Sequence, residues 1–104
     1  MSKELGMFVA TDLYMHHVLG IAKAARNKGL NVRVFLSWKG SKLTKDSSFG
    51  DLVDLARVEV CADSYSRMGY DPEKDIPPGL TSKQMATQSK HVEMINECDY
   101  YLTL

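Results

Sequence analysis

The sequence predicts an α/β fold of three layers, with a mostly parallel β-sheet covered by helices on both faces. Short apolar runs alternate with segments of helical apolar spacing, the connections between them are mostly short, and turn residues separate the two kinds of segment.

Residues 5–10 form a nearly continuous apolar run, read as the first strand. Thr11 or Asp12 then supplies an N-cap for a helix carrying Tyr14, Val18, Ile21, Ala22 and Ala25 on one side. Gly29 ends that helix, and Asn-Val-Arg-Val-Phe-Leu, rich in β-branched and aromatic residues, is a second strand. The polar stretch SWKGSKLTKDSS is read as a loop. Phe49, Leu52, Val53 and Ala56 mark a short helix, and residues 57–61 a third strand. Asp63 and Ser64 can cap a brief helix ending near Gly69, followed by the proline-broken loop YDPEKDIPPG. The last helix is expected to begin near Thr81 or Ser82 and to present Met85, Ser89, Val92, Ile95 and Cys98 on one side. Residues 100–104 close the chain as a strand.

The 104 residues, 44% of them hydrophobic, suit one domain spanning 1–104. Thirteen basic residues balance thirteen acidic ones, so no global field draws the chain to nucleic acid or anionic lipid. The first apolar run is too short for a signal h-region or a membrane span, and a cytoplasmic location is expected. In that compartment the two cysteines remain free thiols.

The sequence contains no Gly-x-Gly-x-x-Gly, P-loop, Gly-x-Ser-x-Gly or His-Glu-x-x-His motif, which removes the usual anchors of nucleotide binding, serine hydrolysis and zinc proteolysis. His16 and His17 are adjacent on a helix and cannot chelate one metal as an i, i+4 pair does, and His91 is likewise read as an ordinary helix residue. No metal or organic cofactor is implied. Lys39, Lys42 and Lys45 lack interleaved aromatic platforms and read as a solvated loop, with attraction of an acidic partner surface the alternative.

Ligands of parallel α/β sheets gather outside the carboxyl ends of the strands. Ala10, Thr11 and Asp12, then Ser37, Trp38, Lys39 and Gly40, then Cys61, Ala62, Asp63 and Ser64 should converge there. Cys61 ends an apolar strand and immediately precedes a helix, so N–H groups of the first turn can point at its sulfur and favour the thiolate. Asp63 opposes this with its charge and Arg67 offsets it. From the residues alone Cys61 is either this reactive thiol or a small buried packing residue. Cys98, at the far end of the last helix, is read as core. Neither cysteine belongs to a Cys-x-x-Cys pair, so a dithiol cycle lacks its resolving thiol, whereas a lone thiolate suffices to accept a sulfane sulfur and pass it on.

Over nearly its whole length the chain resembles the DsrE-like family (DsrE, DsrF, TusD) of sulfur-relay proteins. The resemblance rests on MFVATDLYMHHVLGIAKAARNKGLNV, RVFLSWKGSKLTK, VEVCADSYSRMGY, DIPPGLTSKQM and NECDYYLTL, in that order and spacing. It implies a parallel five-stranded sheet, Cys61 as the sulfur-accepting cysteine, sulfur donor and acceptor proteins as partners, and assembly as homotrimers or hexamers. Trp38 and Tyr65 are expected to shape the opening to Cys61. The alternatives are a non-catalytic subunit that binds a protein partner, with an inert Cys61, and a redox-sensing thiol protein.

Overall fold

A computed structural model describes residues 3–104, so Met1 and Ser2, the start of the segment considered as a leader, lie outside the described residues. Five strands, β1 (Glu4–Val9), β2 (Asn31–Leu36), β3 (Arg57–Cys61), β4 (Met85–Ala86) and β5 (Tyr100–Thr103), form one sheet in the order β4-β3-β2-β1-β5. All pairings are parallel. The helices are α1 (Met15–Asn27), α2 (Phe49–Leu55), α3 (Ala62–Arg67) and α4 (Gln88–Glu97). The three-layer α/β/α architecture expected of the sequence is the one observed.

Strand alternation divides the core. Leu5, Met7, Val9, Val32, Val34, Leu36, Val58 and Val60 point to one face, where Val18, Ala22 and Ala25 of α1, Phe49 and Leu52 of α2 and Tyr65 of α3 close over them. Each such aliphatic side chain removed from water contributes about 1.5–3 kcal/mol. On the other face, Phe35, Cys61, Ala86 and Met94 form a smaller cluster with Phe8 and Cys98 against it. Gly6 makes room there, since a Cβ at that position would lie 2.9 Å from both Cys98 Sγ and Met94 Cγ. The chain therefore steps from β1 to β4 across one face, then returns to β5 through α4 on the other, as right-handed crossovers require when the direction of travel reverses.

Four local readings are corrected. Neither Thr11 nor Asp12 caps α1: Thr11 Oγ1 accepts from Leu13 N at 3.3 Å in a turn of its own, and the helix begins at Met15 after an uncapped Tyr14. The polar stretch after β2 is a 3-10 helix, Trp38–Lys45, because its hydroxyls bond back to the chain, Ser41 Oγ to Trp38 O at 2.7 Å and Thr44 Oγ1 to Ser41 O at 2.8 Å. Thr81 caps only a 3-10 turn, Ser82–Gln84, in a reciprocal arrangement with Gln84, after which Met85 and Ala86 extend as β4 and α4 starts six residues after Ser82. With the start displaced, α4 turns Met94 and His91 toward the sheet and leaves Val92 and Ile95 57% and 47% exposed.

The second face also contains an ionic network that sequence reading missed. Arg33, 3% exposed, donates through Nη1 to Glu97 at 2.7 Å, and its Nη2 lies 3.6 Å from both Glu59 and Glu93. Burial works against the Arg33 charge, but the hydrogen bond to Glu97 and the surrounding negative charge raise its pKa above the ordinary value. The signal was a charge at alternate positions of two otherwise apolar strands, Arg33 in NVRVFL and Glu59 in RVEVC. Because two of the carboxylates stand on α4, this network ties that helix to β2 and β3.

Candidate functional site

The carboxyl ends of β3 and β4 are where the chain leaves the sheet in opposite directions. From β3 it enters α3, whose Tyr65 packs on the α1 and α2 face, while from β4 it enters α4 on the other face. Divergent exits from adjacent parallel strands open the crevice in which α/β sheets place their chemistry. Cys61 and Ala86 are the paired residues at that point. Leu36 pairs with Val60, so the next residue of each chain, Ser37 and Cys61, stand side by side on the other flank.

Cys61 is the non-helical residue immediately before α3, with φ −67° and ψ 113°. The N–H groups of Asp63 and Ser64 fall in the first turn, where a helix has no internal acceptor for them. The Cys61 side chain packs with Phe35, Ala86 and Met94, and polar groups from three elements meet at the same edge of the sheet. Ser37 Oγ and Ser64 Oγ are 3.4 Å apart, both side chains are buried, and Gln88 Nε2, from the start of α4, donates to Ser37 Oγ at 3.0 Å. Ser37 lies in the segment expected at this edge, and Gln88 was not anticipated. Gln88 was hidden by starting the last helix too early.

Asp63 and Arg67 form an exposed i, i+4 pair, Arg67 Nε donating to Asp63 Oδ2 at 2.8 Å. The Arg67 guanidinium pKa is raised chiefly by that hydrogen bond and the Asp63 charge, and further by the negative charge of Cys61 when ionised. The carboxylate that opposes a thiolate at Cys61 thus has its charge answered from the same helix, as expected.

Gly40 belongs to the site for a steric reason. A Cβ there would stand 2.1 Å from Val9 O, so only glycine lets the Trp38–Lys45 segment press against the end of β1. Gly40 N also donates to Ser37 O at 2.8 Å, which fixes the turn beside Cys61. Trp38, in this turn, has φ +51°, a left-handed conformation that non-glycine residues rarely hold, and is half exposed.

Tyr65 does not shape an opening. It is wholly buried, its hydroxyl donates to Asp75 O, and Lys45 Nζ bonds it at 3.0 Å and Asp75 Oδ2 at 2.7 Å. Lys45 also stands over the Tyr70 ring at 4.6 Å, so it straps the proline-rich loop to α3 rather than lining a basic patch. Thr11 and Asp12 lie at the same sheet edge, but Thr11 serves its own turn and Asp12 is exposed. Ala62 is half-buried. Cys61 itself is 4% exposed and packed with Phe35, Ala86 and Met94, so reagents and partners reach it only when this region moves.

The second thiol is not positioned to resolve a bond to the first. Cys98 lies against Gly6, which shares a row of the sheet with Arg33 and Arg57. Cys61 is two strands across and four residues along, on the order of 16 Å away by standard sheet spacings. A disulfide needs Cα atoms closer than about 7 Å. Burial pushes the Cys98 thiol up from its ordinary pKa, Arg33 opposes this, and Glu4, Glu97 and Asp99 add to it.

A cavity of about 290 Å³, lined by Arg26, Asn31, Arg33, Asp54 and Arg57 among others, opens at the amino ends of the strands, the opposite edge from Cys61. Among the described residues no group of three metal-ligating side chains converges, and no helix is long and apolar enough to cross a membrane. No family model, curated protein or solved structure matches the chain.

Proposed function

We propose that this chain is a sulfur carrier of the DsrE-like kind, cytoplasmic, receiving sulfane sulfur on Cys61 from one protein and delivering it to another. The observation that carries this reading is the position of Cys61, at the carboxyl end of β3 beside β4, where the two strands send the chain to opposite faces of the sheet. The resemblance in order and spacing of the segments around it supplies the cargo.

The reaction needs no external oxidant or reductant. The Cys61 thiolate attacks the outer sulfur of a donor persulfide, a new S–S bond forms at Cys61, the donor's S–S bond breaks, and the donor leaves as a thiolate. First-turn N–H groups of α3, at Asp63 and Ser64, are the donors this reading assigns to the persulfide anion. Delivery repeats the exchange with an acceptor thiol attacking the outer sulfur and Cys61 leaving. A sulfur on a side chain this deeply buried is protected from solvent between the two encounters.

Incubation with a low-molecular-weight persulfide donor followed by intact mass measurement tests the reading. The expected result is a gain of one sulfur atom by the wild type and by Cys98→Ser, and none by Cys61→Ser; an unmodified wild type, or equal loading of Cys61→Ser, rejects it.

The near-complete burial of Cys61 favours one second reading, a non-catalytic subunit that uses the exposed Trp38 turn and the proline-rich loop to bind a protein partner. Under that reading Cys61 stays unalkylated by iodoacetamide in the folded protein at every pH near neutrality. Under the carrier reading it is modified, through the opening motion.

A further inference from the structure

α4 covers Cys61 but is held to the sheet by little apolar contact. Its ten residues include one buried side chain, Met94, whereas α1 buries Met15, Val18, Ala22 and Ala25, and the shorter α2 buries Phe49 and Leu52. Met94 is also one of the side chains packed with Cys61. Val92 and Ile95 are exposed and add nothing to that contact. The other ties of α4 are polar or aromatic. Gln88 donates to Ser37 at one end, His91 stacks on Phe8 and meets the Tyr101 hydroxyl, and Glu93 and Glu97 face Arg33 at the other end.

Detached from the sheet, α4 would not remain a helix. Ten residues are fewer than the roughly 12–15 that even alanine-rich helices need in water. No side chain caps its first turn, Thr87 Oγ1 being paired with Ser89 Oγ. Glu97 places negative charge in the last turn, where the helix dipole disfavours it. Arg33 answers that charge from β2. Its Nε and Nη2 make no hydrogen bond among the described residues, which leaves the bond from Nη1 to Glu97 as the one that ties this buried guanidinium to the helix.

The other elements beside Cys61 are anchored in the larger core. α3 is held by the wholly buried Tyr65, whose hydroxyl bonds Asp75 O and Lys45, and the Trp38–Lys45 segment buries Leu43 and is pressed onto β1 through Gly40. Neither can leave without breaking the packing of α1 and α2 on the sheet.

We propose that α4 is a lid with Arg33 as its clasp: α4 unfolds locally from the sheet while β1, β2, β3, α1, α2 and α3 stay folded, and this opening exposes Cys61. Segments with few buried apolar contacts open at lower free energy than the rest of a domain, and do so as cooperative units. The clasp is remote from the thiol. Cys98, which follows Glu97, lies against Gly6 near the start of β1, whereas Cys61 ends β3, so a change at Glu97 reaches Cys61 by releasing the helix. The lid concerns access to the thiol and not its cargo, so a Cys61 that takes up no sulfur would leave it standing.

The test pairs amide hydrogen exchange with iodoacetamide labelling of the intact chain at one pH, both resolved by peptide mass, at reagent concentrations low enough that the labelling rate scales with them. Wild type, Glu97→Gln and Lys45→Met are compared. In wild type, Cys61 is expected to be protected, relative to the unfolded chain, to within about threefold of the α4 amides and at least about tenfold less than the amides of α1. Glu97→Gln should lower the protection of Cys61 and of the α4 amides together, by about two- to fivefold, the effect of one partly exposed ion pair. Lys45→Met, which cuts the strap on α3, should leave both within about twofold of wild type. The proposal is overturned by a Cys61 as protected as α1, by one labelled while the α4 amides are still protected, or by one left unlabelled after they have exchanged. Glu97→Gln that moves neither readout, or Lys45→Met that speeds Cys61 as much as Glu97→Gln does, would also overturn it. The wild-type comparison decides even if a variant fails to fold.

Discussion

Replacing Gly40 with alanine would set a methyl group against the backbone of β1. The new carbon would stand 2.1 Å from Val9 O and 2.8 Å from Val9 C, and neither atom belongs to a side chain that can swing away. Ordinary contact needs more than an ångström of additional separation, so either the Trp38–Lys45 segment lifts or the end of β1 bends. Overpacking of a core costs about 1–3 kcal/mol, and a clash with backbone belongs at or above the upper end, about 3 kcal/mol or more. In a domain of this size each kcal/mol moves the melting temperature by about 4–8 °C, which makes the expected loss at least about 12 °C. Gly20→Ala is the control. It lies inside α1, nothing stands within 4 Å of its added carbon, and alanine in a helix interior gains about 0.5–1 kcal/mol over glycine. The same chemical change should therefore have opposite signs at the two positions, read by urea and thermal denaturation followed by circular dichroism. Because Gly40 N holds Ser37 O, the destabilised variant should also alkylate faster at Cys61. A Gly40→Ala protein within about 0.5 kcal/mol of wild type would refute the claim that the turn is pressed onto β1.

Arg33→Met should cost about 3 kcal/mol or more in urea denaturation by leaving buried Glu59 with only Arg57, while Arg33→Met/Glu59→Leu should recover much of that loss; a double variant no better than the single one counts against the network as drawn. Burial holds the His91 imidazole below its ordinary pKa of 6.5. As pH falls through that value the unfolded chain takes up a proton before the folded one does, so stability present above it is lost, and wild type should lose more between neutral and mildly acid pH than His91→Phe, which keeps the stacking on Phe8; parallel pH profiles would rule this out. Asp63→Asn should speed Cys61 alkylation and Arg67→Ala should slow it, each by no more than about threefold because both side chains are exposed to screening solvent. Gln88→Ala, which removes the bond from α4 to Ser37, should raise the alkylation rate of Cys61 several-fold without changing that of Cys98, and an unchanged Cys61 rate would show that another group closes the site.

The sequence by itself determined the fold class, because parallel strands buried on both faces and helices buried on one leave apolar runs and apolar periodicity that need no partner to be read. β2 and β3 were read with the bounds they have, and the position of Cys61 at the end of β3 followed from that. β4 was missed because two residues are too few to show a period, and Met85 mimicked the start of a helix. That error carried the phase of α4 with it and placed Val92 and Ile95 inward. Only the tertiary structure decided what surrounds Cys61. Phe35, Ala86 and Met94, which pack with Cys61, come from β2, β4 and α4 and meet it only because these strands pair in register and α4 crosses the same face. Tertiary contact also turned Tyr65 from an expected rim residue into a buried anchor, since its partners, Lys45 and Asp75, come from segments with no local signal. Local propensity records which surfaces an element must bury; which groups it meets there depends on pairing between distant segments, and in this chain the setting of Cys61 is of the second kind.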